Sequence, residues 1–222
     1  MSLSAMLALG FILGIRHATD SDHVAAVSTI VSREQSLRGA ASIGLLWGLG
    51  HTLTLLLVGG AILAFGIVVP PRLGLGLELS VAIMLVVLGA VNVASFLRSS
   101  HPHSHDADRR RTWRRLRPLC VGGVHGLAGS AAVALLVLGS APEVWLGTVY
   151  LLLFGAGTIL GMLIITSALA MPLAAAASRF ERVHGLLAIG TGIASVAFGT
   201  LLVYEIGFVQ GLFTSNAHWT PH

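Results

Sequence analysis

The sequence contains no lysine and only one cysteine. All 13 basic residues are arginines. Because Cys120 is alone, neither an intrachain disulfide nor a cysteine-ligated metal cluster can form. Charged residues are also scarce, at 10% of the chain against 55% hydrophobic residues, and the mean hydropathy is +0.88. This composition indicates an integral membrane protein.

Several motifs typical of enzymes are also missing from the sequence. There is no HExxH helix, which argues against a zinc metalloprotease, and no Walker A sequence, so ATP hydrolysis is not expected. The N-terminus lacks the basic region of a cleavable signal peptide. The net charge of +4 does not indicate nucleic-acid binding, because the arginines lie mainly between apolar segments. We therefore expect neither an enzyme nor a resident cofactor.

Six long apolar segments follow one another along the chain. They are residues 3–31, 40–69, 75–96, 119–138, 144–171 and 183–204. Segments of this length and hydropathy predict an all-α integral membrane protein with six transmembrane helices. The linkers between them are polar, and none is long enough for a separate soluble domain.

The uneven distribution of arginine predicts the orientation in the membrane. The first, third and fifth linkers hold two, seven and two arginines, eleven in all, whereas the second linker holds only Arg72. By the positive-inside rule the odd-numbered linkers face the cytoplasm. Both termini are therefore predicted to be external, and a bacterial inner membrane is the expected location of this multi-pass protein.

One polar stretch, RHATDSDH at residues 16–23, interrupts the first apolar segment. A helix of that segment's 29 residues would reach about 43 Å, which exceeds the ~30 Å hydrocarbon core, so the stretch falls near mid-membrane. A charge there costs at least ~2.5 kcal/mol, and ionisable groups inside a membrane are generally functional. The stretch is thus the main candidate site.

The residue types in this stretch are those of a transition-metal site. Imidazoles combined with carboxylates suit nickel, cobalt, zinc or copper rather than calcium. On a regular helix His17, Asp20 and His23 share one face, whereas Asp22 points away. All four converge only if the helix loosens near Ser21, as in the broken helices of transporters.

Arg16 adjoins the candidate ligands and admits two interpretations. In the first, a metal binds, and Arg16 points away from it and holds a carboxylate, since a cation facing the ion would repel it. In the second, the cluster is structural: Arg16 neutralises the aspartates and the histidines cap backbone groups.

Two further histidines lie within apolar segments, His51 in the second and His125 in the fourth. For His125 alone, a ligand role and a packing role agree equally well with the sequence. The predicted principal metal site consists of His17, Asp22, His23 and His51, with Asp20 and His125 in support.

The third linker carries a histidine-rich tract, HPHSHD at residues 101–106, followed by six arginines up to Arg117. On the cytoplasmic side this tract would collect metal as it leaves the membrane. The alternative is a solvated loop whose arginines fix the topology and contact anionic lipid. His218 and His222 in the tail indicate little.

The two halves of the chain resemble each other. GIRHATDSDHVAAV aligns with GGVHGLAGSAAVAL, which places His17 over His125 at an offset of 108 residues. LLWGLGHTLTLLLVGGAIL aligns with LLFGAGTILGMLIITSALA, which places His51 over Thr158 at an offset of 107. Three helices per half is an odd number, so the halves are predicted to be inverted repeats with substrate bound between them. Chance similarity among helices rich in glycine and leucine is the alternative.

The predicted division of the chain follows from this repeat. Residues 1–98 form the first three-helix repeat, which contains the HX4DH motif (His17, four residues, then Asp22 and His23). Residues 99–118 form a cytoplasmic linker rich in histidine and arginine. Residues 119–222 form the second three-helix repeat and an external C-terminal tail.

The spacing of His17, Asp22 and His23, HX4DH, resembles the signature of the nickel/cobalt transporter (NiCoT) family. LGHT at residues 49–52 resembles the motif on the next helix of that family. Later in the chain, family members carry a His-Asp-Thr-Ala-Thr-Glu-type motif; this sequence reads HGLAGS from His125, with the histidine kept and the acidic residues absent. The chain also has fewer apolar segments than the usual eight, which resembles the short, urease-accessory-type branch.

The resemblance implies a secondary transporter that takes up Ni²⁺ or Co²⁺ as substrate, with membrane lipid around it and a metallochaperone as a candidate partner. The alternatives are a membrane accessory or sensor protein for metalloenzyme maturation, and an exporter. A potential of 100 mV favours inward movement of a divalent ion by 2 × 2.3, about 4.6 kcal/mol, so uptake is the preferred direction. The choice of metal, proton coupling and oligomeric state stay open.

Cysteine labelling tests the predicted orientation. In a Cys120→Ser background, a cysteine at Ser215 is expected to react with a membrane-impermeant thiol reagent added to intact cells, because the tail is external. A cysteine at Ser104 should react only after the membrane is opened. Labelling of position 104 from outside would contradict the orientation.

Overall fold

A computed structural model of the protein describes residues 3–32, 34, 36–97, 116–129, 144–179, 181–214 and 217–219. Within these ranges the regular structure is helical and no strand is present, which confirms the predicted all-α class. Among the described residues, four helical stretches are long and apolar enough to cross a membrane. They are Leu37–Phe65, Pro71–Leu97, Val144–Pro172 and Gly185–Val209.

The helices are numbered in chain order. They are α1 (Leu3–His17), α2 (Ser21–Val31), α3 (Leu37–Thr54), α4 (Gly60–Phe65), α5 (Pro71–Leu97), α6 (described over 116–129), α7 (Val144–Arg179) and α8 (Glu181–Tyr204). A π-helical turn, Leu55–Gly59, joins α3 to α4, and a second, Glu205–Val209, follows α8.

Two of the helix ends that differ from the sequence expectation are those of α7 and α4. By sequence the fifth apolar segment ends at residue 171, but α7 continues through Pro172 to Arg179 and α8 begins at Glu181, so most of the expected linker between residues 171 and 183 is helical. Helix α4 ends earlier than residue 69, because Gly66 adopts the left-handed conformation, φ 60°, that closes a helix C-terminus.

The first apolar segment is a broken helix, which confirms the predicted loosening near Ser21. Helix α1 ends at His17 and α2 begins at Ser21. Between them, Asp20 is in an extended conformation with φ −61° and ψ 146°. Its carbonyl oxygen accepts the hydrogen bond from the Val24 amide at 3.0 Å that starts α2.

Helices α1 and α7 pack at backbone contact and run in the same direction. Gly14 lies against the Phe154 carbonyl and Gly157 against the Phe11 carbonyl, so closely that a Cβ on either glycine would overlap the facing backbone. Small residues permit this approach, which van der Waals contact stabilises in lipid.

Helices α3 and α6 pack in the same way, also in parallel. Gly122 lies against the Trp47 carbonyl and Gly50 against the Leu119 carbonyl, again without space for a Cβ. Helix α3 also packs antiparallel to α7, where Thr52 Oγ1 donates to the Gly155 carbonyl at 3.1 Å.

Helices α5 and α8 form an antiparallel pair that α2 joins. Ser195 Oγ donates to the Leu85 carbonyl at 2.9 Å, and Asn92 Nδ2 donates to the Ala188 carbonyl at 2.8 Å. These buried side chains satisfy their hydrogen bonds across the interface, as membrane helices require. The α2 segment is bonded to this pair through Thr29 Oγ1, which donates to the Thr191 carbonyl at 3.3 Å, and through Ser32 Oγ, which accepts from Asn92 Nδ2 at 3.3 Å.

Gly50→Ala tests the close packing of α3 on α6. The added methyl group meets the Leu119 backbone, and overpacking of this kind costs about 1–3 kcal/mol, so the apparent Tm in detergent should fall. Gly76→Ala is the matched control, because nothing lies within 4 Å of a Cβ there. That variant should be neutral or gain up to ~1 kcal/mol from helix propensity. Equal Tm values for the two variants would contradict the packing.

Candidate metal centre

His17 ends α1 and has one ring nitrogen engaged and the other unpartnered. Its Nδ1 lies 2.7 Å from Asp20 Oδ2. Its Nε2 is buried and has no hydrogen-bond partner among the described residues. A carboxylate on one imidazole nitrogen fixes the ring and leaves the lone pair of the other nitrogen available, the arrangement usual for metal-binding histidines. His17 therefore presents Nε2 as a donor atom.

The start of α2 repeats this arrangement with His23 and Asp22. Asp22 Oδ1 accepts the His23 backbone N–H at 2.8 Å and lies 3.1 Å from His23 Nδ1. Its other oxygen, Oδ2, lies 3.3 Å from His125 Nε2 on α6. His23 Nε2 is unpartnered within the described part of the chain. Asp22 thus connects the broken helix to α6.

His51 on α3 is the most isolated of these histidines. The residue is 0% exposed, and neither ring nitrogen has a hydrogen-bond partner in the described ranges. Leaving a buried polar group unpaired costs about 1–3 kcal/mol, and most such groups in proteins are paired. An imidazole in this state is well suited to bind an incoming cation.

The four histidine rings form one cluster. The ring centroids of His17, His23 and His51 are 4.7–5.3 Å apart, and His125 lies 4.5 Å from His23. Trp47, 5.2 Å from the His125 ring, borders the cluster with an aromatic face. The polar rings are therefore packed against one another inside the helix bundle.

Two overlapping sets of donor atoms can be defined in the cluster, and they share His23. One set is His17, His23 and His51; the other is Asp22, His23 and His125. Within each set the donor atoms lie within 4.8 Å of one another. Metal–nitrogen bonds of ~2.1 Å place two ligands at most ~4.2 Å apart, so either set closes on an ion after a small movement.

The structure brings together all six residues that the sequence predicts for the site. Five of them line one cavity of about 390 Å³, namely His17, Asp20, Asp22, His23 and His125. His51 is the sixth and contacts this group through the His17 and His23 rings.

Arg16 and the histidines of the third linker and the C-terminal tail were also considered in the sequence analysis. Arg16 is exposed and does not line the cavity, but none of the described carboxylates forms the predicted ion pair with it. The His101–His105 tract and His222 lie outside the described residues. The His218 backbone N–H donates to the Gln210 carbonyl at 2.8 Å, and this histidine is not among the cavity-lining residues.

Sequence reasoning missed three polar residues that line the same cavity. They are Glu78 on α5 and Glu205 and Gln210 at the end of α8. Glu78 stands alone in the third apolar segment, so the rule that intramembrane ionisable residues are functional applies to it as well. Glu205 directly follows the sixth apolar segment and gives no comparable signal.

Comparisons with known proteins agree with the chemistry of this cluster. Residues 3–111 match the NicO family model, described as high-affinity nickel-transport protein. Urease accessory protein UreH from a Bacillus species is 38% identical over 222 residues, with 96% of each chain covered. Hydrogenase nickel incorporation protein HupN from Bradyrhizobium diazoefficiens is 29% identical, over 91% of this chain and 55% of HupN. No solved structure matches the chain.

The match to UreH extends over almost the whole chain, and the NicO match contains the HX4DH and LGHT motifs. The chain belongs to the nickel-transport family NicO, the nickel/cobalt transporter family that those motifs predict.

Proposed function

We propose that this protein is a secondary transporter that carries Ni²⁺, and Co²⁺ by the same chemistry, inward across the bacterial inner membrane. As a member of a nickel-transport family it is not an enzyme, so the metal is its substrate. The observation that carries the proposal is the convergence, at the break of a membrane helix, of buried imidazole nitrogens that have no hydrogen-bond partner in the described part of the chain. Borderline ions such as Ni²⁺ bind imidazole strongly.

In this proposal each residue of the cluster has a distinct task. His17, His23 and His51 donate ring nitrogens to the ion, and Asp20 holds the His17 ring in the binding orientation through the 2.7 Å contact. Asp22 supplies negative charge, which offsets the dication where the dielectric constant is low.

The two overlapping donor sets suggest how an ion moves on. The first set, His17, His23 and His51, comes entirely from the part of the chain before the long linker, whereas the second includes His125 from the part after it. An ion held by His23 can exchange His17 and His51 for Asp22 and His125 without losing all its protein ligands. Several weak, adjacent positions permit release, whereas one very tight site would retain the ion.

We also propose the inverted-repeat architecture with six membrane crossings, the half-helices α1 and α2 together making the first. The glycine contacts support it. Adding 108 to Gly14 gives Gly122, and subtracting 107 from Phe154 gives Trp47, so the α1–α7 contact has its counterpart between α6 and α3. Since α1 is parallel to α7, α6 parallel to α3, and α3 antiparallel to α7, the equivalent helices α1 and α6 run in opposite directions.

The proposed topology keeps both termini external and the linker at residues 99–118 cytoplasmic. A cytoplasmic metallochaperone is the candidate recipient, and the names of UreH and HupN refer to urease and to hydrogenase nickel incorporation. A membrane accessory protein that binds nickel without moving it is the second candidate, favoured by the same names. Net flux separates the two functions.

Nickel flux through the His51→Leu variant tests the proposal. Purified wild-type protein in liposomes that contain a nickel-sensitive dye should give time-dependent nickel influx under an inside-negative potential. The influx rate of His51→Leu should be at least about 10-fold lower, because one metal ligand is removed. In detergent without metal, this variant should be as stable as the wild type or more stable by about 1–3 kcal/mol, because an unpaired buried polar group is removed.

His218→Leu is the matched control, because this histidine does not line the cavity. It should transport normally. Wild-type binding of nickel without any influx would contradict transport and favour the accessory role. If His51→Leu kept its flux and lost metal-free stability, His51 would be structural.

A further inference from the structure

The cavity at the histidine cluster extends to two glutamates that have no task in the proposed metal site. Glu78 reaches it from α5, and Glu205 reaches it from the π-helical turn Glu205–Val209. A π-helical turn at the end of a helix is an uncommon feature that often occurs at functional positions. Glu205 is the first residue of this turn, and the turn also contributes Ile206 to the lining.

The lining of this cavity is strongly acidic. It contains the carboxylates of Asp20, Asp22, Glu78 and Glu205, and no arginine of the described chain lines it. A cleft with charges of one sign and low-dielectric walls raises the local concentration of counter-ions. The field of this cavity therefore attracts cations.

The same cavity ends on groups that bind cations. His23 and His125 also line it, and each is only 2% exposed. Ring nitrogens of both histidines lack hydrogen-bond partners among the described residues. The acidic lining is thus continuous with buried donor atoms, and this continuity distinguishes it from a solvated group of surface carboxylates.

Position along the helices assigns the cavity to the proposed outer half of the membrane. Glu78 lies in the first third of α5, just after the second linker, and Glu205 lies at the C-terminal end of α8. Both helix ends are on the side that holds few arginines, which the positive-inside rule makes external. An imported ion would arrive from this side.

The C-terminal segment holds one of the glutamates. Trp219 Nε1 donates to Glu78 Oε1 at 2.8 Å. The Trp219 indole packs directly on Gly74, where a Cβ would overlap the ring. One carboxylate oxygen of Glu78, a residue that lines the cavity, is thereby held by the C-terminal segment.

We propose that this acidic cavity is the external access path by which a hydrated divalent transition-metal cation reaches the histidine cluster. Glu78 and Glu205 concentrate the cation and guide it inward, and Trp219 is a positioning residue for Glu78. The inference rests on the transport function proposed above and adds the route and side of access to it.

Charge-neutral variants test the role of the glutamates. The double variant Glu78→Gln/Glu205→Gln should raise the KM for nickel uptake by intact cells about 10-fold at low ionic strength. Its kcat should stay within a factor of about two of the wild-type value. The increase in KM should be smaller in high salt, because salt screens the electrostatic field of the carboxylates. Trp219→Phe keeps an aromatic ring and loses the N–H donor, so it should give a smaller rise in KM.

Glu34→Gln is the control for charge removal outside the cavity: it removes one negative charge, as each substitution of the double variant does, from a residue that accepts a hydrogen bond from Ser36. Its KM should equal that of the wild type. An unchanged KM in the double glutamine variant, or an equal change in Glu34→Gln, would overturn the inference. Absence of wild-type flux would overturn the proposed function itself, so the two failures are distinguishable.

Accessibility tests the side of the path. With Cys120→Ser as background, a cysteine at the cavity-lining Leu202 should react with an impermeant cationic thiol reagent from outside, and the reaction should block uptake. Reaction from the cytoplasmic side alone would overturn the external assignment.

Discussion

The pairing of Asp20 with His17 across the helix break is the interaction on which the site depends. Asp20 starts α2 as its N-cap, a position where an aspartate side chain usually accepts a backbone N–H of the new helix. Here the side chain makes no such bond, and its carboxylate instead lies 2.7 Å from the His17 ring. The Asp20 side chain thus holds the His17 ring instead of capping α2. Proteins commonly break a local rule of this kind at functional sites.

The remainder of the bundle makes this arrangement tolerable. Imidazoles that are buried without a partner among the described residues weaken the fold, and the two half-helices leave backbone ends that a membrane cannot solvate. Glycines at positions 14, 50, 122 and 157 bring the flanking helices to backbone contact, which fixes the walls around the break. In the proposed function, this close packing holds the histidines together before an ion arrives. Preorganisation of this kind reduces the cost of ordering the ligands on binding.

Sequence reasoning predicted the break and the composition of the site, because polar residues inside an apolar segment are informative by themselves. It did not predict which carboxylate pairs with which histidine, because the regular-helix geometry ceases to apply at residue 18. The expected Arg16 ion pair has no counterpart among the described carboxylates; α1 ends at His17, and the Arg16 side chain is exposed. Glu205 and Trp219 were missed because their positions result from the folding of α8 and the tail onto α5, which no local pattern reports. The offsets of 108 and 107 residues between the two halves of the sequence, by contrast, also relate the glycine contacts of α1 with α7 to those of α6 with α3.

The central claim is that imidazole nitrogens at the helix break, and not water or carboxylates alone, bind the transported ion. X-ray absorption at the nickel edge, measured on purified protein with one equivalent of Ni²⁺, reports it directly. The account predicts nitrogen and oxygen ligands at about 2.1 Å with the multiple-scattering pattern of two or more imidazoles, reduced in His51→Leu and unchanged in His218→Leu. A spectrum without imidazole scattering, or one that is the same in His51→Leu, would contradict the claim.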